Sequence, residues 1–216
     1  MIDLTAARRM MVDGQVRTAD VTDLRILGAM LEVPREDFVP AGKAEIAYSD
    51  LDLPVGEGRR CLLKPMVLGK LLQAVDIQDT DRVLDVGCAT GYSSALLGRL
   101  AGSVVALEQD AALARAAGKA LAGQSNVKVV SGPLLQGSPR SGPYDVILLQ
   151  GATEVVPDEL LRQLKGGGRL ACIRAEGPAG KAVLYRNTDG EVSGRPVFDA
   201  SAPLLLGFKR APSFVF

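Results

Sequence analysis

One short apolar run that breaks into glycines limits this chain more than any other feature. Residues Val83-Leu84-Asp85-Val86-Gly87-Cys88-Ala89-Thr90-Gly91-Tyr92 read as a buried strand entering a glycine turn that opens a helix. Seventeen residues past Gly91, a second apolar run, Val104-Val105-Ala106-Leu107, ends on Glu108. Glycines let backbone approach a ligand, and an acid closing the next strand can take the two hydroxyls of a ribose. The pair therefore predicts a nucleotide-type cofactor site, with a purely structural two-glycine turn as the bland alternative.

Glycine spacing then separates the cofactor classes. A dinucleotide fingerprint has the form G-x-G-x-x-G, and here Ala89 and Tyr92 stand at its second and third glycine positions. A nicotinamide-dependent oxidoreductase is thereby disfavoured. Asp-x-Gly-x-x-x-Gly followed by a strand-end acid is instead the pattern of S-adenosylmethionine-dependent methyltransferases.

Composition excludes several chemistries. The 216 residues contain no histidine, which removes histidine acid–base catalysis, Ser-His triads and histidine-bound zinc. Lys plus Arg, 25, equals Asp plus Glu, 25, and no stretch concentrates either sign, so nucleic acid is not an expected partner. No apolar run approaches the roughly 20 residues that span a bilayer, and the first residues lack signal-peptide order, so a cytoplasmic protein without membrane contact is expected. Cys61, Cys88 and Cys172 are widely spaced and read as buried, reduced thiols. No feature of the sequence specifies an oligomeric state.

Residues 1–75 read as a helical, substrate-side extension. Helices are expected over Thr5–Arg17, Val21–Glu32 and Pro65–Val75, with a loop-rich stretch punctuated by Pro40, Gly42, Pro54, Gly56 and Gly58. Residues 76–180 alternate strand and helix: strands Arg82–Val86, Val104–Glu108, Val127–Val130, Tyr144–Leu149 and Arg169–Arg174, and helices Tyr92–Leu100, Asp110–Ala122 and Pro157–Leu164. Gly166-Gly167-Gly168 is expected to end the last of these helices. Short β-branched strands between helices imply a parallel sheet covered on both faces, that is, a doubly wound Rossmann-like α/β fold. Residues 181–216 are expected to complete the sheet with antiparallel strands, Lys181–Arg186 and Glu191–Phe198 around Asn187-Thr188-Asp189-Gly190. Ala211–Phe216 reads as a packed edge strand, and the sequence does not specify whether Arg174–Gly180 forms a lid.

Ligands of such sheets lie at the carboxyl ends of the strands. The loops Gly87–Gly91, Glu108–Asp110, Ser131–Leu134 and Gln150–Thr153 should line the site. Expected cofactor contacts are therefore Asp85, Gly87, Ala89, Gly91, Tyr92, Glu108, Gln109, Gly132, Pro133, Leu134 and Gln150. Glu108 is the ribose ligand, and Asp85 is either a loop organiser or an electrostatic element. The helix beginning at Tyr92 should turn its positive end to the cofactor's carboxylate.

The chain also resembles protein-L-isoaspartate O-methyltransferases. The matching segments are Met11-Val12-x-x-Gln15-x-Arg17, Val33-Pro34-Arg35-Glu36-x-Phe38-Val39-Pro40, Ala47-Tyr48-x-Asp50-x-x-Leu53-Pro54-x-Gly56, Pro65-Met66-Val67, Val83–Tyr92, Tyr144-Asp145-x-Ile147 and Leu164-x-x-Gly167-Gly168. The resemblance implies S-adenosylmethionine as cofactor and isoaspartyl residues of damaged proteins or peptides as methyl acceptors. It implies a substrate side formed by Tyr48, Asp50, Leu63 and Lys64; no catalytic residue is assigned. A carboxylate acceptor is ionised at neutral pH, so methyl transfer from a sulfonium needs no general base, and the missing histidine is compatible with it.

Three departures bear on activity. Where the family carries Thr-Ile-Ser-x-Pro, this chain has Cys61-Leu62-Leu63-Lys64-Pro65, with Leu63 at the serine. Gly132-Pro133-Leu134 replaces Gly-Asp-Gly, losing a carboxylate and a backbone N–H. Ala89 replaces a loop glycine. Two functions stay open at this stage: an isoaspartyl-type methyltransferase, and a non-catalytic descendant that acts as a binding or scaffold protein.

Overall fold

The computed structural model describes residues 3–56, 60–175 and 179–210. The expected strand at Ala211–Phe216 and residues 176–178 of the segment 174–180 lie outside them. α1 (Leu4–Met11) begins where the Asp3 carboxylate accepts the N–H groups of Thr5 and Ala6, each at 3.0 Å. The predicted continuation to Arg17 is instead a π turn, Val12–Val16, and a 3-10 turn, Arg17–Ala19. α2 (Leu24–Glu32) starts later than periodicity predicts, with Asp23 rather than Thr22 as its cap. The reason lies across the chain: the Gln73 side-chain oxygen accepts the N–H groups of Thr22 and Asp23, which holds that stretch extended.

β1 (Leu53–Pro54) and β2 (Cys61–Leu62) form a two-residue antiparallel ladder, and α3 (Pro65–Ala74) follows with proline in its first turn. The main sheet is built from β3 (Arg82–Val86), β4 (Ser103–Glu108), β5 (Val127–Ser131), β6 (Tyr144–Thr153), β7 (Leu164–Arg174), β8 (Lys181–Thr188) and β9 (Glu191–Asp199). Their spatial order is β5-β4-β3-β6-β7-β8-β9. β3 to β7 pair in parallel, and β7, β8 and β9 pair antiparallel, which gives the expected C-terminal hairpin. α4 (Tyr92–Leu100), α5 (Ala111–Ala120) and the short α6 (Asp158–Leu161) link the parallel strands. The chain runs from β3 outward through β4 and β5, then returns to β6 on the other side of β3, so the switch point falls between the neighbouring strands β3 and β6.

The glycines at 166–168 do not end a helix, as the sequence predicts. α6 stops at Leu161, and Leu164 already pairs with Tyr144; pairing resumes at Arg169 opposite Val146. Gly166–Gly168 lie in the bulge between. Gly167 has φ +78°, and a Cβ at Gly168 would stand 2.9 Å from the Lys165 carbonyl, so the bulge requires glycine.

Strand alternation sends buried residues to two faces. Val83, Val104, Ala106, Val146 and Leu148 join a core shared with α1–α5, while Leu84, Leu107, Ile147 and Leu149 join a second core with Leu160, Leu205 and Phe208. The first core reaches from Met11 to Ala200, so the N-terminal helices and the sheet share one interior. Among the described residues, no helix is long and apolar enough to cross a membrane.

Leu148 is fully buried in the central strand. Leu148→Ala should cost about 2–5 kcal/mol. Urea unfolding checks this; a loss below about 1 kcal/mol would show that the centre of the sheet repacks around the gap.

Candidate active site

The same alternation that builds the core puts three polar side chains together. Asp85, Glu108 and Gln150 follow the register of Val83, Val104 and Leu148, so all three project to the α4 face near the carboxyl ends of their strands. Between β3 and α4 the chain turns in five residues. Gly87 (φ +79°), Ala89 (φ +53°) and Gly91 (φ +101°) all take positive φ. Ala89 therefore does occupy a position suited to glycine, at a cost of about 1–2 kcal/mol. At Gly91 a Cβ would also lie 2.9 Å from Leu121 Cδ1, so helix α5 closes over the turn.

Asp85 is an organiser. Its carboxylate is fully buried and accepts the hydroxyls of Ser93 (2.6 Å) and Ser94 (2.5 Å) and the Gln150 amide (2.7 Å). The first turn of α4 and strand β6 are thus tied to β3 through one side chain. Desolvation by burial pushes the Asp85 pKa up, against the three hydrogen bonds, which favour the anion.

Glu108 is more heavily engaged than the sequence suggests. One carboxylate oxygen accepts the Ala89 N–H (2.8 Å) and the Arg60 guanidinium (2.5 Å); the other accepts the N–H groups of Gln109 (2.8 Å) and Asp110 (3.1 Å). Arg60 Nη2 also donates to the Gly87 carbonyl at 2.6 Å. The side chains of Arg60 and Glu108 are 9% and 1% exposed, so this is an ion pair out of water. Sequence reasoning missed Arg60. It sits far from the glycine turn in the chain, and only the β1–β2 ladder brings it there.

Beside this pair, Leu63 and Tyr92 are buried. They line, with Cys61, Cys88, Ser93 and Gln150, a cavity of about 10 Å³, room for at most one water. The Tyr92 ring stands edge-on to Phe38 with centroids 5.6 Å apart, and the Arg35 guanidinium lies 4.7 Å from its centroid. Arg35, itself fully buried, donates to the carbonyls of Ala47 and Leu63 at 2.8 Å each, and burial lowers its pKa. That fixes the backbone of the segment carrying Leu63. Burial raises the Cys61 thiol to about 12, chiefly by desolvation, so it is an inert packing group.

The remaining expected residues divide. Gln109 is exposed, and its side-chain oxygen accepts the Leu134 N–H at 3.4 Å; Gly132 donates to the Glu108 carbonyl at 3.0 Å. The loop after β5 is therefore tied to the end of β4. Pro133 is exposed there, while the Leu134 side chain packs into the second core. Tyr48 lies away from the strand ends: its hydroxyl accepts from Arg8 at 2.8 Å and donates to Glu36, bracing α1 against the loop after α2. Asp50 is exposed, whereas Asp52, absent from the sequence reading, accepts the Lys64 N–H at 2.9 Å. Lys64 lines a different groove, of about 320 Å³, with Met66, Gly180 and Asp199. Another cavity, about 580 Å³ and lined by Phe38, Pro40, Val55, Thr90, Asp110 and Leu113, takes Thr90 and Asp110 from the loops expected to line the site but none of the individual cofactor contacts expected there.

A mixed seven-stranded sheet with this switch point, glycine turn and strand-end acid has the S-adenosylmethionine-dependent methyltransferase fold. The chain belongs to the protein-L-isoaspartate(D-aspartate) O-methyltransferase family, whose model matches residues 7–198. A protein-L-isoaspartate O-methyltransferase of Methanoculleus marisnigri is 39% identical over 165 residues, 76% of this chain and 74% of that protein. One of Roseiflexus castenholzii is 40% identical over 171 residues, 78% of each. A solved protein-L-isoaspartate O-methyltransferase superposes with TM-score 0.82 at 26% identity, covering 93% of this chain and 66% of that one. The fold is shared too by a Plasmodium falciparum protein solved with S-adenosyl-L-homocysteine, at TM-score 0.76 and 18% identity, covering 95% and 99%.

The raised Asp85 pKa carries a sign. The folded state binds that proton more tightly than the unfolded chain does, so stability falls as pH rises from the ordinary carboxyl value of 3.8 through the folded pKa. Asp85→Asn removes this loss, because an amide meets the same donors by rotating the two hydroxyls. Unfolding free energies of Asp85→Asn should fall less with rising pH than those of the parent; parallel pH profiles would show that burial does not perturb Asp85.

Proposed function

We propose that this chain is an S-adenosylmethionine-dependent methyltransferase acting on the carboxylate of isoaspartyl residues in damaged proteins and peptides. Family membership over residues 7–198, together with the strand-end acid Glu108 beside the Gly87–Gly91 turn, carries the reading.

The donor set suits the cofactor. Glu108 is the acid for the ribose hydroxyls, Gly87 and Gly91 give backbone access, and Gln109 with Gly132–Leu134 flank the place for the base. Helix α4, nine residues long, directs its N-terminus toward a carboxylate. Arg60 sits on Glu108, so the ribose meets this acid only when the Arg60 side chain moves.

When bound, the cofactor supplies a methyl group on a positively charged sulfur. The chain's own task is alignment and exclusion of water, since the acceptor carboxylate is already an anion. Asp85 holds α4 and β6 in register for that alignment. Arg35 fixes the Leu63 backbone, and the Leu63 side chain stands where the family's serine would offer a hydroxyl. Leucine gives the acceptor no hydrogen bond, so substrate orientation rests on the surrounding backbone. The protein is read as acting in the cytoplasm in protein repair.

The test is transfer of labelled methyl from S-adenosylmethionine to an isoaspartyl peptide, read as base-labile methanol. Transfer is expected for the parent chain. Leu63→Ser, which supplies the hydroxyl and enlarges the cavity, should raise kcat by roughly tenfold, the value of a positioned hydrogen bond to a charged group of about 1.5 kcal/mol. Cofactor binding without methyl transfer by either chain would overturn the isoaspartyl assignment.

A further inference from the structure

Glu108 has no acceptor capacity left for a ribose. A carboxylate offers about four lone-pair sites, and Ala89, Gln109, Asp110 and Arg60 fill them. Three of these donors are backbone N–H groups fixed by the turn and by the start of α5. Arg60 is the one side chain among them, so it is the one donor that can leave without unravelling the turn. Its second contact, to the Gly87 carbonyl, lies where a Cβ at residue 87 would stand 3.0 Å from Nη2. The guanidinium therefore rests directly on the glycine that opens the cofactor turn.

We propose that Arg60 is an internal competitor for the cofactor's ribose, and that it sets how tightly and how fast this chain takes up S-adenosylmethionine. The inference rests on the methyltransferase reading above and deepens it. Two further features make the exchange workable. A single nitrogen, Nη2, serves both acceptors, while Nε is buried without a partner, so the guanidinium is held below its full hydrogen-bonding capacity. The Arg60 carbonyl accepts the Val55 N–H at 3.1 Å and Cys61 pairs with Pro54, so the backbone is held and the side chain can turn on it. Cofactor entry then exchanges one set of hydrogen bonds on Glu108 for another, and the ribose gains only the difference.

The experiment is titration calorimetry and stopped-flow association with S-adenosylhomocysteine on the parent chain, Arg60→Gln and Arg60→Lys. Arg60→Gln should bind roughly ten- to a hundredfold tighter than the parent, the worth of a charge-assisted hydrogen bond, with a faster association rate. Arg60→Lys keeps the cation near Glu108 and loses the fork, so it should fall between the two. If Arg60→Gln does not fold, Arg60→Lys decides: binding severalfold tighter than the parent supports the proposal, and equal binding overturns it. Measurable binding by the parent with equal or weaker binding by Arg60→Gln overturns the competitor role and leaves the cofactor reading standing. Absence of binding by all the folded chains overturns the cofactor reading itself, and the competitor with it.

Discussion

A carboxylate buried where three elements meet fixes the geometry of this protein. Asp85 lies inside β3, yet it accepts from the first turn of α4 and from β6, so neither can shift without stranding a polar group. The glycine turn between β3 and α4 inherits its shape from that constraint. Its N–H groups at 87 and 88 bond the carbonyl of Leu107, and the N–H of Ala89 bonds Glu108. Two acids with different tasks thus share one end of the sheet. Asp85 joins the elements, and Glu108 faces whatever ligand arrives.

Much of the fold was legible because buried parallel strands are short, apolar and cleanly punctuated. β3 and α4 have the limits expected from sequence, since Gly87 and Gly91 mark both edges of the turn. Where reading failed, a distant partner had overridden a local signal. Gln73 keeps Thr22 and Asp23 out of α2 although their neighbourhood is helical in period. The triple glycine reads as a helix stop, yet it serves a bulge whose need arises from pairing with Tyr144. No local rule contains that information.

The site was legible in part for the same reason. Glu108, Asp85, Gln150 and the glycine turn lie on consecutive strands whose ends must converge, so spacing alone predicts their meeting. Arg60 reaches them from a two-residue ladder in the N-terminal region, and nothing in its neighbours announces a buried charge. The family motifs in residues 11–56 turn out to brace that region. Gln15 donates to the Tyr48 carbonyl, and Arg8, Glu36 and the Tyr48 hydroxyl form one network. Among these motif residues Arg35 also holds the segment bearing Leu63, by donating to the Leu63 carbonyl.

A strand-end acid already neutralised from within has a consequence for the life of the chain. Many ligand sites leave a charge unpaired until the ligand arrives, so the empty protein is less stable and more readily degraded. Ligand adds stability only through its affinity for the folded form. Here Arg60 supplies the missing counter-charge, so the empty protein keeps its acid paired. Because Arg60 lowers that affinity, cellular abundance should respond less to the supply of methyl donor than an unpaired acid would make it. Starvation for that metabolite would silence the enzyme before it emptied the cell of it.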